Sequence, residues 1–171
     1  MPDDDNKFDA LLELMKAQRK AGDVDAAERT YAQCNASREK YEKENRGLDI
    51  SHAAQYWKNT VRLEAYAEHW DRARQASQDA VVKQPLFGRF ALNTLISVYG
   101  EAKNHAAAVE ASKLAAPADR VRAIYGAART QAEDGKEADA LIWVSEESSP
   151  ELKANALIAI AQGILNRDKK P

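Results

Sequence analysis

The sequence predicts an all-α chain, arranged as a right-handed superhelical α-solenoid of about four helical hairpins and a C-terminal capping helix. Three observations carry this expectation. Alanine is the commonest residue, Gly (7) and Pro (5) are scarce and charged residues reach 30%. Alanine is the best helix former, while Gly and Pro are the strongest breakers. No stretch alternates apolar and polar residues with the period of two that a half-buried strand requires. Small residues recur at long and nearly regular intervals, as they do where helix pairs stack on one another.

Periodicity divides the chain into helical segments over about 7–21, 23–45, 50–68, 71–83, 87–102, 105–116, 118–134, 136–148 and 150–166. An acidic stretch at 1–6 is expected to be disordered, 7–166 to form one helical repeat domain and 167–171 to trail as a tail. Within the domain the hairpins fall at about 8–47, 50–86, 87–117 and 118–149, with the capping helix at 150–166. Local chemistry marks the joints. Gly22-Asp23 offers a residue that tolerates the left-handed conformation, followed by a helix N-cap. Asn104 caps the next helix in the same way, and Gly135 ends another. Ser149-Pro150 pairs an N-cap with a proline at the first helical position, where its missing N–H costs nothing. Pro85 and Pro117 stand between helices, and Arg46-Gly47 closes an unusually long second helix.

Ala27, Ala73, Ala108 and Ala140, one in the second helix of each hairpin, lie 46, 35 and 32 residues apart. Around them the second copy places Trp57, Ala80 and Pro85, and the third Leu92, Leu95, Ile96, Tyr99 and Ala115. The first places Leu11, Leu14, Met15 and Tyr31, and the fourth Ile124, Ala127 and Ala128. In these positions the chain resembles the tetratricopeptide-repeat family over roughly residues 8–166, since that family repeats every ~34 residues. Gln18, Thr60, Glu64 and Gln131 depart from its pattern. The resemblance implies hairpins that cannot bury an apolar face alone and so stack. It also implies that the final helix, repeating a first-helix pattern in Ala156-Leu157-Ile158-Ala159, covers the end of the fourth hairpin, with Lys153, Asn155, Gln162 and Asn166 toward solvent.

No residue set points to catalysis. His52, His69 and His105 contain no i, i+4 pair of the kind a zinc site favours, so they read as surface or turn histidines, and no metal or cofactor is expected. Cys34 occupies a small apolar position and reads as a buried, inert thiol with no visible base. The carboxylates Asp3-Asp4-Asp5, Glu133-Asp134 and Glu146-Glu147 sit at a terminus or at turns, where they are solvated. Trp57 is expected to pack in the core, Trp70 to be half exposed at a turn, and Trp143 to pack against the final helix. P-loop, GxSxG and GxGxxG motifs are missing. With 25 basic and 27 acidic residues the net charge is −2, which lacks the basic excess of a nucleic-acid binder. No apolar run approaches the ~18 residues of a membrane span. One cysteine fits a reducing compartment, so a cytoplasmic location is expected.

The expected function is therefore non-enzymatic: a scaffold or adaptor that holds a partner peptide or protein segment. In stacked hairpins the first helices line the concave side. The inward row reads Asp9, Leu12, Lys16, Arg19; Gln55, Lys58, Arg62, Tyr66; Phe90, Asn93, Ser97, Glu101; and Arg122, Tyr125, Arg129, Glu133. Lys16, Arg19, Lys58, Arg62, Tyr66, Asn93, Arg122, Tyr125 and Arg129 are the candidate partner-binding residues, cations for a partner's carboxylates and aromatics for anchoring. Alternatively, the chain is a structural subunit that uses its convex side or its ends. Reading of single-stranded RNA is a weaker third possibility.

Overall fold

Four alike turns reverse the chain in the computed structural model, which describes residues 2–45 and 50–169. Each has one residue at positive φ: Gly22 (78°), Glu68 (65°), Lys103 (58°) and Gly135 (75°). Around each the same pair of bonds closes the preceding helix. The N–H after the left-handed residue donates to the carbonyl five residues back, from Asp23 to Gln18 (3.0 Å), His69 to Glu64 (2.8 Å), Asn104 to Tyr99 (2.8 Å) and Lys136 to Gln131 (3.0 Å). The left-handed residue itself donates three back, from Gly22 to Arg19, Glu68 to Ala65, Lys103 to Gly100 and Gly135 to Ala132. This is the Schellman closure, which satisfies carbonyls that a helix end leaves open. Five residues beyond each turn residue lies the recurrent alanine, so the 46-, 35- and 32-residue spacing of Ala27, Ala73, Ala108 and Ala140 is also the spacing of the turns. All four alanines are buried.

Glycine takes the left-handed conformation without penalty, whereas a residue with a Cβ does not. Glu68→Gly and Lys103→Gly should therefore each stabilise the protein by about 1 kcal/mol. Urea unfolding followed by circular dichroism reads the gain, and no shift in midpoint for either would contradict the turn geometry.

The described residues form nine helices: α1 (Pro2–Lys20), α2 (Val24–Asn45), α3 (Ile50–Tyr66), α4 (Trp70–Lys83), α5 (Pro85–Glu101), α6 (His105–Ser112), α7 (Pro117–Glu133), α8 (Glu137–Glu146) and α9 (Pro150–Asp168). No strand occurs among them. The chain divides into two compact units, Met1–Ala91 and Leu92–Pro171, with the division inside α5. In the first, α1 packs on α2 and α3, α2 on α3 and α3 on α4. Its core includes Phe8, Leu12, Met15, Ala27, Cys34, Leu63 and Ala67. In the second, α7 packs on α6, α8 and α9, and α8 on α9. Ile124, Ala128, Ala132, Ala140, Val144, Leu152, Ala156, Ala159 and Ile160 form its core, with Trp143 packed against it. Where α7 and α9 cross, Gly163 brings the backbones together. A Cβ there would stand 2.6 Å from the Arg129 carbonyl oxygen and 2.7 Å from the Ala132 Cβ.

The polar departures from the repeat pattern are hydrogen-bonded in the interior. Gln18 accepts from the Thr30 hydroxyl (2.8 Å) and Gln131 from the Trp143 indole (2.9 Å), each linking the two helices of one hairpin. Glu64 accepts from the Tyr31 hydroxyl (3.0 Å) and meets His69 Nδ1 at 3.2 Å. Thr60 accepts from Arg38 (3.3 Å). A buried polar group is costly only when unpaired. These four are paired, and they fix which helix faces which.

Several boundaries differ from expectation. α1 starts at Pro2, inside the 1–6 stretch read as disordered, because a proline followed by aspartates is a helix-start composition. Pro85 and Pro117 open α5 and α7, not merely separate helices, since the first helical position needs no N–H. α6 ends at Ser112, short of 116. α9 continues to Asp168, into the supposed tail. Asp23, Asn104 and Ser149 cap as expected, accepting from Ala26 (3.1 Å), Ala107 (3.3 Å) and Leu152 (3.4 Å). Arg46-Gly47, Met1 and residues 170–171 lie outside the described residues.

Candidate functional site

The first unit gathers four of the candidate residues on one face. Lys58, Arg62 and Tyr66 follow one another at four-residue steps along α3, so they share a side of the helix. α1 packs alongside and brings Asp9 and Lys16 to the same side. The Lys16 ammonium lies 4.8 Å from the Tyr66 ring centroid and the Arg62 guanidinium carbon 6.0 Å. Arg62 is oriented by Asp9 at 2.6 Å. Lys16 is exposed, whereas Lys58, Arg62 and Tyr66 are half-buried. Glu13 and Lys20 are exposed one turn further round α1, one of each sign. Such a surface suits a carboxylate-bearing segment: two cations flank an aromatic ring whose orientation they hold, and one carboxylate opposes them.

Two residues read into the inward row lie elsewhere. Leu12 is fully buried in the core of the first unit, because it shares the α1 stripe of Phe8 and Met15. Arg19 turns into the hairpin and bonds Glu28 of α2, with 15% of its side chain exposed. It does not join the Tyr66 cluster.

In the second unit Arg122 is exposed and Asn93 half-buried. The Tyr125 hydroxyl bonds Gln162 of α9. Arg129 binds Glu133 (2.8 Å), which also accepts from Asn166 of α9 (2.9 Å). Tyr125 and Arg129 thus lie along the α7–α9 seam. Of the residues expected on the solvent side of the capping helix, Gln162 is exposed and also meets Tyr125, whereas Asn155 and Asn166 are half-buried, Asn166 bonding α7, and Lys153 donates to the Ser145 carbonyl of α8 (2.8 Å). Apart from Gln162, the exposed residues of α9 between Glu151 and Asp168 are apolar.

A cleft of about 130 Å³ was not foreseen; Lys7, Arg38, Lys40, Tyr41 and Tyr56 contribute to its lining. Its signal in the sequence was the group of cations around Tyr41, Arg38, Lys40 and Lys43, near the end of the long second helix. Cys34 is fully buried, and burial pushes its thiol up to about 11, so almost none is thiolate near neutral pH. The Tyr31 hydroxyl is likewise held above the usual phenol range, first by burial and then by its bond to Glu64. His69 stacks edge-on to Tyr31 at 5.1 Å, and His105 meets Asp134 at 3.2 Å. Among the described residues no three His, Cys, Asp or Glu side chains converge as metal ligands, and no helix is long and apolar enough to cross a membrane. Trp57 is half-buried, its indole donating to Gln84 (3.2 Å) with Lys83 at 5.7 Å.

Compared with known protein families, curated proteins and solved structures, the chain matches none.

Proposed function

We propose that this chain is a tetratricopeptide-like repeat protein, a right-handed superhelical stack with α9 as its cap. Its role is to hold an acidic segment of another protein on the face made by first helices of its hairpins, in the cytoplasm and without chemistry of its own. The observation that carries this reading is the Tyr66 ring, flanked by Lys16 and Arg62 on the α1–α3 face. Support for the repeat comes from the four Schellman turns with a buried alanine five residues beyond each. Long-range attraction between such cations and a partner's carboxylates is screened by salt, so capture should weaken as ionic strength rises.

The test compares wild type with the double variant Lys16→Glu, Arg62→Glu as bait for the same lysate. Proteins retained by wild type at low salt should be lost by the variant, while its circular dichroism stays helical. Retention of the same proteins by both would remove this face from the function.

A further inference from the structure

α9 carries apolar residues on two opposite sides. One side, with Leu152, Ala156, Ala159, Ile160 and Gly163, is buried in the core of the second unit. The other exposes Ala154, Leu157, Ile158, Ala161 and Leu165, with Leu157 at 44%, Ile158 at 54% and Leu165 at 58%. Spacings of four, three and four residues from Ala154 through Ile158 and Ala161 to Leu165 keep these side chains on one stripe. No charge interrupts it between Glu151 and Asp168, because Lys153 and Arg167 are drawn to α8, by the Ser145 carbonyl (2.8 Å) and Glu137 (2.9 Å). Leu141, midway along α8 between those two contacts and 46% exposed, widens the apolar surface. Water-facing helix surfaces are ordinarily polar, and a contiguous apolar patch marks an interaction site.

We propose that this stripe pairs with the same stripe of a second copy of the chain, the two α9 helices lying antiparallel about a two-fold axis at the level of Ala159 and Ile160. The sequence of the stripe is self-complementary in that arrangement. Ala154 falls opposite Leu165 of the second copy, and Ile158 opposite Ala161, so Ile158 and Leu165 each meet an alanine. A parallel pairing would set Ile158 on Ile158 and leave alanine against alanine, a worse fill of the same space. At the ends of the stripe Glu151 is level with Asp168 of the second copy, where the exposed Lys169 beside it offers the opposite charge and Asp168 is held by its own Arg167 (3.2 Å). Helix dipoles oppose, as they prefer to. The interface is isologous and therefore closes at two copies. A single helix pair covers less than the about 800 Å² per partner of a standard interface, so the dimer is weak and exchanges with monomer.

Sedimentation equilibrium of the full chain, between about 5 and about 500 µM, tests this directly. A reversible monomer–dimer equilibrium is expected for wild type, and Ile158→Glu and Leu165→Glu should each stay monomeric throughout with unchanged circular dichroism. Under mild oxidation the double variant Ile158→Cys, Ala161→Cys should form a covalent dimer, and Ile158→Cys alone should cross-link far less; Cys34, being buried, does not compete. The proposal is overturned if wild type is monomeric at every concentration or if Ile158→Glu dimerises like wild type. It is equally overturned if Ile158→Cys alone cross-links as readily as the pair, or if a monomeric protein binds phosphatidylcholine vesicles through the stripe.

Discussion

Replacing Gly163 with valine is expected to lower the stability of the second unit by about 3 kcal/mol or more. The cause is backbone against backbone. The added Cβ would lie 2.6 Å from the Arg129 carbonyl oxygen and 3.1 Å from the Glu133 amide nitrogen, atoms that cannot rotate away as a side-chain tip can. α9 would have to lift from α7, and the contacts of Ala156, Ala159 and Ile160 in the shared core would open with it. Gly163→Ala should cost less, because alanine recovers roughly 1 kcal/mol of helix propensity against the same clash. Gly126 supplies the contrast. It lies within α7, and a Cβ there meets only Ile96 at 3.8 Å, an ordinary contact, so Gly126→Ala should be neutral or stabilising. Urea unfolding read by circular dichroism and by tryptophan fluorescence orders the three variants. Equal midpoints for wild type and Gly163→Val would mean that the helices do not approach so closely.

The second large effect concerns binding. Lys16→Glu with Arg62→Glu should reduce capture of an acidic partner by at least about 100-fold, since each desolvated charge contact contributes on the order of 2 kcal/mol and reversal adds repulsion. Little of this can come from unfolding. Lys16 is exposed, and the Arg62–Asp9 pair at 2.6 Å lies at the surface, where such pairs contribute at most about 1 kcal/mol. Lys113→Glu, after α6 in the second unit, should leave capture unchanged, which separates a local effect from a loss of net positive charge.

Much of this architecture could be read from residues with strong local preferences. Gly22, Gly135, Asn104, Ser149 and the prolines announced where helices stop and start, because their conformational limits act whatever surrounds them. The alanine spacing announced the hairpins, and in the structure it is the spacing of the turns. Glu68 and Lys103 could not be recognised as turn residues, since nothing local favours positive φ in either. What depends on rotation about a helix axis was harder. Leu12 was placed on the inward face although it is core, and Asn166 on the solvent side although it is half-buried and bonds Glu133 of α7. One position along a helix is a rotation of 100°, enough to exchange face for core. Gln18, Glu64 and Gln131 read as flaws in the repeat because their partners, Thr30, Tyr31 and Trp143, become visible only when the helices are packed.

Site-specific photo-cross-linking asks most directly whether the α1–α3 face holds the partner. A photoreactive phenylalanine at position 66, in place of Tyr66, is compared with the same residue at Val82, 79% exposed on α4. Irradiation in lysate should give a discrete adduct from position 66 that fades with added salt, and none from position 82. Adducts from position 82 alone, or identical adducts from both, would contradict partner capture on this face.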